Sequence, residues 1–157
     1  MKKDKIFIIT IIVLFIDIVI KELIKTNVAL SQNIVLIPNF FSITHVQNTG
    51  AAFSIFANSK YFLIIISIII LIMLLKYIKD IKIKNKYKII ALGLVLGGLL
   101  GNLSDRIMYS YVIDYLSFNI FGYMFPIFNF ADMAITIGMI MLIITMLYKE
   151  KRKKKWL

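Results

Sequence analysis

The chain has 157 residues, 61% hydrophobic and only 17% charged, with a mean hydropathy of +0.89 and a formal net charge of +11. A soluble domain is about 45–50% apolar and about 25% charged, so this composition excludes an ordinary soluble enzyme, a disordered tail and a collagen-like fibre. The absence of cysteine excludes disulfides, thiolate metal sites and a cysteine nucleophile, and a single histidine, His45, excludes a multi-histidine metal site.

Four apolar stretches are predicted in chain order, at about 6–24, 61–78, 89–106 and 130–148. Each approaches the roughly 20 residues that cross a hydrocarbon core, and lipid leaves helices as the way to satisfy the backbone. The first is interrupted by Asp17, Lys21 and Glu22, whereas the second has no charge between Lys60 and Lys76. The third ends on Asp105 and Arg106, and the fourth carries Asp132. The expected fold is an all-α integral membrane protein, a single domain over 1–157 built as a four-transmembrane-helix bundle.

The basic residues assign its sides. Lys2, Lys3 and Lys5 precede the first stretch. Lys76, Lys79, Lys82, Lys84, Lys86 and Lys88 fill the link between the second and third. Lys149, Lys151, Arg152, Lys153, Lys154 and Lys155 follow the fourth, which leaves only Lys21, Lys25, Lys60 and Arg106 elsewhere. Four spans put all three clusters on one side, which the positive-inside rule makes the cytoplasm. Both termini are then cytoplasmic, and the segments at about 25–60 and 107–129 are extracytoplasmic. The clusters are expected to touch anionic lipid headgroups, and no nucleic-acid partner is expected. The first stretch is expected to be retained rather than cleaved, because Asp17, Lys21, Glu22 and Lys25 separate its apolar run from the small residues at 29–31.

The two outer segments differ. In the first, residues 34–37 stop at Pro38 and Asn39, and residues 41–47 alternate with period two. This predicts a short strand or hairpin, then a turn at Asn48, Thr49 and Gly50, as a small sheet on the outer membrane surface. The second carries Tyr109, Tyr111, Tyr115, Phe118, Phe121, Tyr123, Phe125 and Phe128, rings that favour the headgroup level.

Ionisable residues in a span are costly and are functional candidates. Asp17 and Lys21 are spaced i,i+4 in the favoured order for a helical ion pair; the pair is either structural or steadies a neighbouring site. Gly97 and Gly101 form a small-xxx-small pattern for close helix approach, and Asn102, Asp105 and Arg106 follow as scaffold, with Arg106 able to orient a carboxylate or carbonyl. Asn129 fits a helix N-cap with Asp132 at the third helical position. Asp114 and Asp132 fall at the outer ends of neighbouring spans. Two carboxylates at one poorly solvated depth can share a proton and act as base and acid, which is aspartic-protease chemistry. Competing schemes use His45 with Ser42, Ser54 or Ser104, or Ser54 with Lys60. A proton- or ion-coupled transporter and a non-catalytic membrane adaptor are the alternatives from other classes.

Taken in order, five segments resemble the bacterial lipoprotein signal peptidases, or signal peptidase II. They are Asp17-x-x-x-Lys21; Asn48-Thr49-Gly50-Ala51-Ala52-Phe53; Gly97-Gly98 through Gly101-Asn102-Leu103-Ser104-Asp105-Arg106; Val112-Ile113-Asp114-Tyr115; and Phe125-Pro126 through Phe128-Asn129-Phe130-Ala131-Asp132. Ser104 departs from the larger apolar residue usual in the family. The resemblance implies a monomeric aspartic peptidase of the cytoplasmic membrane, with its active site on the extracytoplasmic side. It would remove the signal peptide of prolipoproteins just before a diacylglyceryl-modified cysteine, need no metal or cofactor, and be blocked by globomycin-type inhibitors. It implies Asp114 and Asp132 as the catalytic pair. It implies Asp17, Lys21, Asn48, Gly50, Asn102, Asp105, Arg106, Asn129 and Ala131 as substrate-binding or supporting residues.

Overall fold

A computed structural model describes residues 3–50, 59–81 and 85–154, with side chains described up to 147. Ala51, Ala52, Phe53, Ser54, Lys2, Lys82, Lys84 and Lys155 lie outside the described residues, as do the side chains of the basic run from Lys149. The elements in chain order are α1 (Asp4–Asn27), β1 (Asn33–Ile37), β2 (Phe41–Asn48), α2 (Lys60–Asp80), α3 (Lys86–Tyr109), β3 (Val112–Ile120), β4 (Tyr123–Met124) and α4 (Phe130–Lys154). Each predicted apolar stretch is a helix, extended by a residue to a turn at most ends, where polar residues complete the hydrogen-bonding turn without needing burial. Among the described residues, three helices are long and apolar enough to cross a membrane, Lys60–Asp80, Lys86–Tyr109 and Phe130–Leu147. Helix α1, with 24 residues, is as long as α3, but its Asp17, Lys21, Glu22 and Lys25 load it with charge.

Helix α3 is the centre of the bundle, and its glycines explain why. Gly93, Gly97 and Gly101 line the face against α1. A methyl on Gly93 would stand 2.6 Å from Ile9 Cβ, one on Gly97 2.6 Å from Val13 Cβ, and one on Gly101 3.0 Å from Asp17 Cγ. On another face Gly98 admits α4, where a methyl would meet Ile135 Cγ1 at 2.8 Å. Close backbone approach of this kind replaces the hydrophobic drive that lipid removes. Toward the other end Ile6, Ile78, Ile89, Leu92, Leu96 and Leu142 close an apolar core.

The outer segments fold together into one antiparallel sheet of order β1-β2-β3-β4. The predicted strand at 41–47 is β2, and residues 34–37 belong to β1. The second outer segment is more than an aromatic belt: it supplies β3, which pairs with β2 so that Val46 faces Asp114 and Asn48 faces Val112. Several of its rings pack on other aromatic rings. Phe118 stacks on Phe41 at 4.6 Å and on Phe128 at 5.7 Å between ring centroids. Aromatic cross-strand neighbours of this sort pin a sheet's register. Phe121 and Tyr123, at the β3–β4 turn, remain exposed.

Candidate active site

Three chain segments bring the candidate residues to one end of the bundle. Helix α3 ends at Ser110, in a left-handed conformation with φ 73°, which turns the chain into β3 and lays Asp114 beside the helix end. Further on, Phe128 bridges to Leu116 of β3, so the next residue, Asn129, arrives beside Asp114 just before α4 starts. The start of α4 is a capping box, as the spacing of Asn129 and Asp132 predicts. The Asp132 N–H donates to Asn129 Oδ1 at 3.0 Å, and the Asn129 N–H donates to Asp132 Oδ2 at 3.2 Å.

Both carboxylates line one cavity of about 540 Å³. Asn48, Asn102 and Arg106 share its wall, with the apolar Val112, Ile127 and Met133. Asp114 is buried and accepts from Asn129 Nδ2 at 2.7 Å and Asn48 Nδ2 at 2.8 Å. Asp132 is half-buried and accepts from Asn102 Nδ2 at 2.7 Å. Asn129, fully buried, thus touches both acids. Burial pushes the Asp114 carboxyl up to about 7. The negative Asp132 adds to the rise, while the Asn48 and Asn129 amides and Lys21 oppose it.

The remaining predicted residues pack around those that line the cavity. Lys21 is 2% exposed and Asp17 is 0% exposed. Lys21 Nζ lies 2.7 Å from Asp17 Oδ2 and 2.9 Å from Asp105 Oδ2, and donates to Asn102 Oδ1 at 2.9 Å. Asp17 Oδ1 accepts the Ala131 N–H at 3.0 Å, which moors the first turn of α4 to α1. Asp105 Oδ2 accepts the Ile113 N–H at 3.2 Å, which moors β3 to α3. At the rim, Gly50 donates its N–H to Asn48 Oδ1 at 2.9 Å, and its carbonyl accepts from Arg106 Nη2 at 3.0 Å. All eleven residues therefore fall in one neighbourhood.

Tyr115 belongs with them and was not singled out from the sequence. Its hydroxyl accepts the Phe130 N–H at 3.1 Å, one of the free donors at the start of α4. Burial raises its pKa, so the phenol stays neutral. The signal was its place directly after Asp114 in a run otherwise apolar. The schemes that use Ser54 lie outside the described residues; among the described ones, His45 Nδ1 bonds the Val28 carbonyl at 2.9 Å, and its Nε2 has no partner. Ser104 Oγ donates to the Gly101 carbonyl, and Lys60 Nζ donates to Ser110 Oγ.

A bundle of long apolar helices with a carboxylate-bearing, largely apolar cavity beside a small sheet defines a membrane protein with an enzyme-like site. Comparison with known proteins gives the family. The signal peptidase (SPase) II family matches residues 9–148. The lipoprotein signal peptidase of Staphylococcus haemolyticus is 43% identical over 148 residues, covering 94% of this chain and 93% of that protein. That of Staphylococcus aureus strain JH9 is 42% identical over 148 residues, covering 94% and 90%. A bacterial membrane enzyme solved by the in meso method at 2.3 Å superposes with a TM-score of 0.88 at 38% identity, over 94% of this chain and 90% of that one. A second, at 1.9 Å, gives 0.81 at 39% identity, over 90% and 92%. The chain belongs to the signal peptidase II family, and so to a family of peptidases.

Proposed function

We propose that this protein is an aspartic endopeptidase that cuts the signal peptide from prolipoproteins immediately before the diacylglyceryl-modified cysteine, with Asp114 and Asp132 as its catalytic pair. The observation that carries the reading is the placement of these two acids on one cavity, joined through the buried Asn129. Aspartic chemistry needs two carboxyl groups in unequal protonation states. Asp114, held near 7 by burial, carries the proton. Asp132 stands in the first turn of α4, at the positive end of the helix dipole, where negative charge is stabilised.

In the proposed reaction a water oxygen attacks the scissile carbonyl carbon and gives a proton to Asp132, while Asp114 gives its proton to the carbonyl oxygen. The product of this step is a neutral gem-diol. The C–N bond then breaks. Asp132 returns its proton to the leaving nitrogen, and a diol hydroxyl restores the proton of Asp114. A carboxyl end on the signal peptide and a free amino group on the lipidated cysteine result, and the pair is regenerated. Asn48, Asn102 and Asn129 hold the acids in place, and Arg106, on the cavity wall, orients the substrate backbone. Asp17, Lys21, Asp105, Gly50 and Ala131 support them.

The same reading has α1 as a fourth span, both termini in the cytoplasm and the sheet outside the cytoplasmic membrane. Buried neutralisation of Lys21 by Asp17 and Asp105 supports a crossing α1, because pairing is how charge is tolerated at membrane depth. Met133 and Ile137 line the cavity and are exposed. That lipid-facing side would let a substrate that is itself a membrane helix enter sideways, as a monomeric enzyme allows. The test is cleavage of a diacylglyceryl-modified prolipoprotein by the purified protein, compared with the unlipidated form. Efficient cleavage of the lipidated form alone is expected, with loss in Asp114→Asn and in Asp132→Asn. Substantial activity in either variant ends the assignment.

A further inference from the structure

The orientation of a carboxamide is chosen by its neighbours, and a neighbour that can only donate leaves no choice. Each of the three asparagines at the dyad has its oxygen held by such a group. Asn48 Oδ1 accepts the Gly50 N–H, and Asn129 Oδ1 accepts the Asp132 N–H. Asn102 Oδ1 accepts from Lys21 Nζ, with a longer contact from Asn129 Nδ2 at 3.2 Å. In every case the nitrogen is thereby turned toward a carboxylate: Asn48 and Asn129 to Asp114, Asn102 to Asp132. Two of the anchors are backbone groups. The third is a buried ammonium on a different helix.

We propose that Lys21 is a positioning residue for the acid pair: by donating to Asn102 Oδ1 it fixes which way that amide points, and so secures the Asn102 N–H···Asp132 hydrogen bond. The proposal rests on the peptidase reading above and adds a role for a cation that does not touch Asp132. The geometry separates this role from simple charge balance. Asp17 and Asp105 hold the ammonium as ion pairs at 2.7 and 2.9 Å, and the hydrogen bond of Lys21 goes to Asn102. The two aspartates therefore aim Lys21, Lys21 aims Asn102, and Asn102 aims at Asp132. Without the ammonium, Asn102 Oδ1 keeps only the longer contact from Asn129 Nδ2, and the weakened hold lets the amide rotate and present Oδ1 to Asp132, where two acceptors repel.

A double-mutant cycle on full-length protein tests this, read as kcat and KM on a lipidated prolipoprotein. Removing one preorganised donor from a catalytic group costs about 100-fold or more in kcat, so Lys21→Met and Asn102→Leu are each expected to lose about 100-fold with KM little changed. Because Lys21 acts through Asn102, the double variant is expected to lose about 100-fold as well, and not about 10⁴-fold as independent effects would multiply. Multiplying losses, or a loss confined to KM, overturn the proposal. Should Lys21→Met not accumulate in folded form, the triple variant Asp17→Asn, Lys21→Met, Asp105→Asn takes its place in the cycle, so that no buried charge is stranded and the same non-additivity with Asn102→Leu is required. Wild-type protein that cleaves, with silent Asp114→Asn and Asp132→Asn variants but a multiplicative cycle, refutes this inference alone. Wild-type protein that does not cleave refutes the peptidase reading and this inference with it.

Discussion

Asn102 on α3 donates its side-chain N–H to Asp132 on α4 at 2.7 Å, across the helix pair that Gly98 brings close. The bond is short and charge-assisted, the strong kind. Replacing Asn102 by Asp keeps the shape, removes the donor and sets a second acid against Asp132. Cleavage by Asn102→Asp is expected to fall at least about 100-fold, with thermal unfolding in detergent showing a folded protein.

The proton on Asp114 sets a pH limit. Its carboxyl is raised from the usual 3.8 to about 7, so it is protonated below that value in the folded protein and ionised above it. Activity that needs this proton is expected to decline as pH rises through about 7, seen as the basic limb of kcat/KM. The same shift favours folding most below pH 3.8, and that contribution is lost as pH rises toward 7. The limb belongs to the coupled pair, not to one acid. A kcat/KM that stays flat from pH 6 to 9 contradicts the proposed proton assignment.

The glycine seam predicts a steep cost for one methyl. Gly101→Ala would force its Cβ into the Asp17 carboxylate, which also holds the Ala131 N–H. Overpacking costs about 1–3 kcal/mol, and the displaced Asp17 disturbs the start of α4. A lowered unfolding temperature and reduced kcat are expected together.

His45 offers a contrasting outcome. It is buried, and its ring bonds the Val28 carbonyl, where α1 ends. His45→Leu removes that donor and is expected to destabilise by about 1–3 kcal/mol while leaving kcat unchanged. Loss of kcat would revive a histidine-based scheme.

Membrane topology can be read directly, because the chain has no cysteine. Phe121, at the fully exposed β3–β4 turn, and Asp80, at the end of α2, are expected on opposite sides. In intact cells, a membrane-impermeant maleimide should label Phe121→Cys and spare Asp80→Cys until the membrane is opened.

Much of this was legible from local pattern. The helices follow from apolar length, and the Asn129–Asp132 capping box and the Asp17–Lys21 pair follow from spacings of three and four. Nothing local announced that β3 would pair with β2, because residues 112–120 do not alternate: both faces of that strand's first half are buried, against α3 and the loop before α4. The Lys21–Asp105 contact joins residues on helices far apart in sequence, and which atom of each asparagine faces which acid exists only in three dimensions. Tyr115 was hidden among aromatics for the same reason: its role lies in the backbone N–H it meets.

The α1–α3 seam is a vernier with a repeat of four, since Ile9, Val13 and Asp17 seat on Gly93, Gly97 and Gly101. Sterically, sliding one helix by a full turn would find the next notch nearly as well. Such a slip would carry Asp17 to Gly97 and strand Lys21 a turn away from Asp105 and Asn102, with bare charge in hydrocarbon. The ionic cluster thus breaks a degeneracy that shape alone leaves in the packing, and the same contact that selects the notch aligns the amide beside Asp132.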